Sequence, residues 1–112
     1  MNREIKFRAW QSQEKKMYHQ GDTCDENRSH FWKIWENKSH ISNPMQFTGI
    51  EDKNGKEIYE GDINQDSGIL IWNIDDASFC WEYKELEVHS MGSENEWCLI
   101  IGNIHENPEL IK

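Results

Sequence analysis

Apolar and polar side chains alternate from the first residues: Ile5, Phe7 and Ala9 fall on one side of an extended chain, and Glu4, Lys6 and Arg8 on the other. A period of two is the signature of a strand with one buried face. The polar stretch from Gln11 to Lys15 reads as a turn, and Lys16-Met17-Tyr18-His19 can return antiparallel, so the pattern predicts an N-terminal β-hairpin. Gln20 to Ser29 holds almost nothing apolar and reads as a loop. The segment from His30 to Ile41 is double-valued. Phe31, Ile34 and Trp35 fit a helical face, while Trp32 and Ile34 fit strand alternation. A strand or irregular aromatic segment is the reading adopted here. Asn43-Pro44 ends it, because a residue before proline is pushed out of the helical region.

The signals sharpen after Pro44. Met45-Gln46-Phe47-Thr48 and Lys56-Glu57-Ile58-Tyr59 read as partner strands, joined through Asn54-Gly55, residues that tolerate positive φ. Glu60-Gly61-Asp62 is a tight bend, Gln65-Asp66-Ser67-Gly68 a second turn, and Ile69-Leu70-Ile71-Trp72 a nearly continuous apolar strand. After another turn, Asn73 to Ala77, Phe79, Trp81 and Tyr83 share one face of a returning strand. Leu86 and Val88 suggest a short edge strand. Trp97 to Ile104 forms the last strand, and Asn107-Pro108-Glu109-Leu110 an N-cap followed by one helical turn. Short strands at roughly 8–12-residue spacing, punctuated by turns, predict a mainly β small barrel or sandwich.

Composition changes this picture in two ways. Only 36% of residues are apolar, yet 12% are aromatic, with six Trp among 112 residues. A small core built on few but bulky rings therefore replaces the reading of disorder that the polarity alone would invite. One domain, 1–112, fits this length. Twelve basic side chains against 21 acidic give a net charge of -9, with no block of five like charges. That is simply a solvated, self-repelling surface, and it works against nucleic-acid binding, which depends on neutralising phosphates with Lys and Arg. The start of the chain lacks the apolar run of a secretory signal, and no stretch has the length of a membrane span. Three cysteines, Cys24, Cys80 and Cys98, lack CxxC spacing and are expected as reduced thiols in a cytoplasmic protein.

Three blocks of the sequence carry a resemblance. Arg3-Glu4-Ile5-Lys6-Phe7-Arg8-Ala9-Trp10 with Lys16-Met17-Tyr18 opens it. The central block runs from Met45-Gln46-Phe47-Thr48-Gly49 through Asp52-Lys53-Asn54-Gly55-Lys56-Glu57-Ile58-Tyr59-Glu60-Gly61-Asp62-Ile63. The third is Ile101-Gly102-Asn103-Ile104-His105-Glu106-Asn107-Pro108-Glu109-Leu110. In this order they resemble the YopX family of small proteins encoded by phages and prophages. The resemblance implies an SH3-like β-barrel over approximately Lys56 to Ile104, with the N-terminal strands of residues 1–50 packed on it. It also implies action in the cytoplasm of a bacterial host, and it brings no catalytic residues. Ile63 is followed by Asn64-Gln65 where family members usually continue with an apolar residue, which leaves the length of that strand open. Within the central block, Gly49, Asp52, Asn54, Gly55, Gly61 and Asp62 form a structural turn motif. The glycines suit corners that cost other residues energy, and the aspartates can accept backbone N–H groups.

Candidate chemistry is sparse. Glu51-Asp52, Glu60-Asp62 and Asp75-Asp76 sit in turns open to water, which does not pull two carboxyl pKa values apart. His19, Cys24 and His30 are the nearest soft-ligand group, at spacings of five and six, and are more simply a polar loop than a zinc site. Cys80 and Cys98 lie in apolar strand patterns, where thiols pack as small hydrophobes. No GxSxG, phosphate-binding Gly-rich loop or HExxH occurs. No cofactor and no enzymatic activity are expected. The aromatics exceed what one small barrel easily surrounds. Phe79, Trp81 and Trp97 are expected in the core, and Phe31, Trp32, Trp35 and Trp72 are candidates for an interface. The expected function is a non-enzymatic protein-binding module whose partner is a host factor or another copy of the chain. A nucleic-acid-binding barrel that uses stacking aromatics and a metal-dependent enzyme at His19, Cys24 and His30 are the alternatives.

Overall fold

The computed structural model describes residues 5–20, 30–84, 87–91 and 97–111. The protein is mainly β, with one short α-helix, and divides into two compact units, Met1–Phe47 and Thr48–Lys112.

The first unit opens with β1 (Phe7–Gln11) and β2 (Lys16–His19), an antiparallel hairpin in which Ala9 faces Tyr18 and Trp10 faces Met17. On its other side β1 meets the start of β3 (Met45–Glu51), with Phe7 opposite Gln46 and Arg8 opposite Met45. Pro44 has no N–H to offer a ladder. Pairing with β1 resumes before it, where the Ser42 amide donates to the Trp10 carbonyl at 2.8 Å and the Ser12 amide to the His40 carbonyl at 3.1 Å. The expectation of a polar outer face on β1 fails at Arg8, which is buried, as is Gln11. Gln11 is tolerated because its Nε2 donates to the Ser39 carbonyl at 2.8 Å while its Oε1 accepts the Glu14 amide.

The reading of residues 30–41 as a strand or irregular aromatic segment fails over their first part. They begin with the helix α1 (His30–Asn37). Helical spacing turns Phe31 and Trp35 to one side with Trp32 beside them, so the rings pack on each other edge to face. Phe31 and Trp32 lie 5.0 Å apart, Trp32 and Trp35 6.1 Å, and Trp32 and Phe7 of β1 5.4 Å. The Trp35 indole N–H donates to the Ser42 carbonyl at 2.9 Å. Just past the helix, Lys38 Nζ lies 2.9 Å from Glu14 Oε1, which also accepts the Tyr18 hydroxyl at 3.0 Å. Lys38, and then Tyr18, hold the Glu14 carboxyl below its usual pKa.

In the second unit, the rest of β3 pairs with β4 (Glu57–Tyr59). Five further strands follow: β5 (Asp62–Asn64), β6 (Ile69–Asn73), β7 (Ser78–Tyr83), β8 (Glu87–Ser90) and β9 (Ile100–Asn103). They form one antiparallel sheet in the order β8-β7-β6-β5-β9, a meander whose last strand returns to the free side of its first. Leu70 opposes Trp81, and both join Ile58, Met91, Cys98 and Ile100 in the core, with Ile50, Phe79 and Tyr83 packed against it.

The turns of this unit are built by Asp and Asn side chains. After Asp52 the hairpin closes with the Asp52 amide on the Lys56 carbonyl at 2.7 Å and the Gly55 amide on the Asp52 carbonyl at 3.0 Å. Gly55 takes φ 83°, the left-handed residue such a three-residue loop requires. Asp52 Oδ1 accepts the amides of Asn54 and Lys56, each at 2.9 Å. The same device recurs at Asn64, whose Oδ1 accepts the Asp66 amide at 2.9 Å and the Gly68 amide at 2.8 Å, with Ser67 at φ 68°. This answers the question left open at Asn64-Gln65: β5 stops at Asn64 because that residue starts a turn, and the register also shifts between Ile63 and Asn64. Asn103 repeats the arrangement with the amides of His105 and Glu106. Asn107 does not cap the short 3-10 turn Pro108–Leu110, as its sequence position suggested. Its Oδ1 instead accepts the Asn103 amide at 3.2 Å.

Candidate functional site

The hairpin of β6 and β7 carries the most exposed group of apolar side chains among the described residues of the second unit. Trp72 and Phe79 are direct cross-strand partners, with ring centroids 5.1 Å apart and planes at 75°. Strand alternation puts Trp72 on the same face as Leu70, one step beyond the core toward the hairpin end, and it is 47% exposed. Ile74, in the connecting loop, is 83% exposed. The loop is held by its own side chains: Asn73 Oδ1 accepts the Asp75 amide at 3.0 Å, and Asn73 Nδ2 donates to Asp76 Oδ2 at 3.4 Å. Ala77 absorbs the return with φ 49°. Ile74 therefore projects from a loop ordered independently of it, with Asp75 and Asp76 directly following.

The other expected interface residues lie in the first unit. Phe31 is only 2% exposed, so it belongs to that unit's core and leaves the set of surface candidates. Trp32 and Trp35 are half-buried in the edge-to-face cluster with it. Trp72 belongs to the second unit and the other three to the first.

Trp97, expected in the core, is 43% exposed and lies edge-on to Trp81 at 6.2 Å. The strand predicted from Trp97 begins only at Ile100, because the preceding backbone is diverted. The Cys98 carbonyl accepts the Lys53 amide at 3.0 Å, and the Leu99 amide donates to Gln65 Oε1 at 2.8 Å. Sequence reasoning overlooked Ile74 altogether; a branched apolar residue among Asn and Asp in a turn was the available signal.

The aspartates of the central block are structural acceptors in this geometry. Asp52 Oδ1 holds its own turn, and Oδ2 accepts the Ile100 amide at 3.0 Å from forty-eight residues away. Burial pushes the Asp52 carboxyl up, but the amides of Ile100, Lys56 and Asn54, with the Lys56 charge, outweigh it and leave its pKa below the ordinary value. Asp62, also buried, accepts the Tyr59 amide at 2.8 Å. Gly49 and Gly61 occupy corners with φ 88° and 87°.

Of the proposed metal ligands, His19 ends β2, whereas Cys24 and the side chain of His30 lie outside the described residues. Among the described residues, no three His, Cys, Asp or Glu side chains form a metal-binding group, and no helix is long and apolar enough to cross a membrane. Cys80 and Cys98 are buried free thiols. Burial, reinforced by the charges of Asp52, Asp62 and Asp66, pushes the Cys98 thiol up to about 11. Its thiolate is therefore scarce at neutral pH and shielded from solvent. Native protein treated with iodoacetamide at pH 8 should leave the Cys98 peptide unmodified in a mass spectrum, and unfolding in urea should make it react. Rapid alkylation of Cys98 in native protein would contradict this packing.

The charge of the chain divides sharply at the boundary between the units. Residues 48–112 hold fifteen acidic and four basic side chains, and residues 1–47 six and eight. The exposed tip of Trp72 and Ile74 stands on the acidic unit.

A family model described as YopX protein matches residues 6–112. Among solved structures, the crystal structure of protein EF1440 from Enterococcus faecalis is 28% identical to the chain. The match has a TM-score of 0.67 and covers 99% of this chain and 100% of that one. No curated protein matches the chain.

Proposed function

The chain belongs to the YopX family, and from that footing we propose that it is a non-enzymatic protein-binding module of phage or prophage origin, acting in the bacterial cytoplasm. The observation that carries the reading is the β6–β7 tip. Trp72 and Ile74 expose apolar surface on a hairpin whose loop and strands are already fully engaged with each other. Nothing in the folding of the hairpin requires Ile74 to be apolar, since the loop is closed by Asn73, Asp76 and backbone groups. Pre-ordered aromatic and branched side chains lose little conformational freedom on docking, which favours them as binding anchors. The excess of acidic groups on the same unit disfavours a nucleic-acid partner, because its phosphates would be repelled.

Photocrosslinking tests this directly. A benzophenone amino acid placed at position 74 should give discrete protein adducts in bacterial cells, whereas the same group at Asn54, in the exposed loop of the other hairpin, should not. Equal, diffuse labelling from both positions would defeat the proposal.

A further inference from the structure

We infer that the β6–β7 tip docks into an apolar pocket rimmed by Lys and Arg on a different protein. This inference rests on the binding function proposed above and specifies the partner's chemistry. Two observations fix it. Asp75 and Asp76 directly follow Ile74 in the loop, both exposed, so an apolar pocket that admits Ile74 and Trp72 must receive two carboxylates at its edge. The unit around them is itself strongly acidic, with fifteen acidic side chains against four basic. A rim of like charge would be repelled, whereas a cationic one is attracted at long range and held in register at contact. A second copy of the chain is disfavoured as the occupant, since its net charge of -9 would bring two like-charged molecules together.

The partner is thus read by two kinds of contact with separate consequences. The apolar side chains of Trp72 and Ile74 supply the buried centre, which salt does not screen. Asp75 and Asp76 supply rim contacts, which salt does screen. Removing the first should abolish binding, and reversing the second should weaken it and remove its salt dependence.

A displayed library of random peptides, selected on the immobilised full chain and counter-selected on the Ile74→Ser variant, provides the probe. Ile74 is exposed in a loop, so this variant keeps the fold, which an unchanged circular-dichroism spectrum and melting curve would verify. The selected peptides are expected to combine apolar anchors with flanking Lys or Arg and to bind more weakly as salt rises. They should lose about tenfold in affinity for the Asp75→Lys variant, which leaves the Asn73–Asp76 contact of the loop in place. Peptides that need Trp72 and Ile74 but carry no basic enrichment and ignore both salt and charge reversal would overturn this inference and leave the binding function standing. If no peptide distinguishes the wild type from Ile74→Ser or Trp72→Ala, the binding function itself fails. A concentration-dependent dimer seen by light scattering, and lost in Ile74→Ser, would also overturn the inference, because the occupant would then be another copy.

Discussion

Replacing Asp52 by alanine is expected to cost about 3–5 kcal/mol, because it strands three backbone amides at once in a buried site. Two of them, from Asn54 and Lys56, belong to the loop between β3 and β4; the third, from Ile100, begins β9. The carboxylate therefore fastens a local turn to a strand forty-eight residues further on, and no single neutral acceptor of that size serves all three donors equally well. Asn at this position keeps the shape but must turn an N–H₂ toward one of the donors, so Asp52→Asn should lose about 2 kcal/mol. Equilibrium unfolding in urea, followed by circular dichroism, measures both variants.

The same bonds give a pH dependence of known sign. Burial alone would raise the Asp52 pKa, but the three amides outweigh it and the folded value lies below the ordinary 3.8. A depressed folded pKa means that the native state holds its proton less tightly than the unfolded chain. The stabilisation is then complete above the unfolded pKa and lost as pH falls through the folded one. Wild-type stability should drop below about pH 4 more steeply than that of Asp52→Asn, so the two curves converge in acid. Curves that stay parallel from neutral pH down to pH 2.5 would show that the carboxylate is not held as described.

Much of this architecture was legible because turns and alternation are local. The N-terminal hairpin, the hairpin around Asn54-Gly55, and β6 and β7 with Phe79 and Trp81 directed inward all follow from patterns within ten residues of one another. Where the readings failed, a distant partner decided. Arg8 looks like an outward position of β1 and Gln11 like the start of a turn, but β1 runs on to Gln11 between β2 and β3, and the Ser39 carbonyl satisfies Gln11 in a buried site. The segment at His30 offered two periods, and only its packing chose the helical one, through contacts of Trp32 with Phe7 and of Trp35 with Ser42. Trp97 reads as a strand residue because the apolar run Cys98-Leu99-Ile100-Ile101 follows it directly. Gln65 and Lys53, both remote in sequence, pull the backbone at Cys98 and Leu99 out of the ladder.

The candidate site shows the same division. The six residues of the turn motif could be picked out by type, since glycines with positive φ and short acidic side chains have few other uses so close together. The long-range bond from Asp52 to Ile100 could not be found that way. The aromatic surplus was visible as a number, but its allocation was not. Phe31 and Trp72 look alike in sequence, and burial separates them completely. The concentration of acidic charge after residue 47 was present in the sequence but lacked meaning until the boundary between the units was known.

Trp81→Ala is expected to be the most damaging single substitution of an aromatic residue, and Trp72→Ala among the least. Trp81 is 1% exposed, sits opposite Leu70 on β6 and His89 on β8, and packs in the core with Ile58, Met91, Cys98 and Ile100. Truncation removes a large apolar area and leaves a cavity that the two flanking strands cannot close, at a cost of about 3–5 kcal/mol. That is comparable with the whole margin of a small domain, and for a unit of this size it corresponds to a fall in melting temperature of roughly 15 °C or more. Trp72 lies on the same face of the sheet but beyond the core, so its loss should cost less than about 1 kcal/mol. A cavity at Trp81 also opens a path to its neighbour Cys98. Alkylation of that thiol should therefore accelerate in Trp81→Ala well below its melting temperature, and stay slow in Trp72→Ala. If the two variants melted within a few degrees of each other, the core would not be centred on β6 and β7. The assignment of Trp72 to a binding surface would then lose its basis, since that assignment depends on the fold having no need of it.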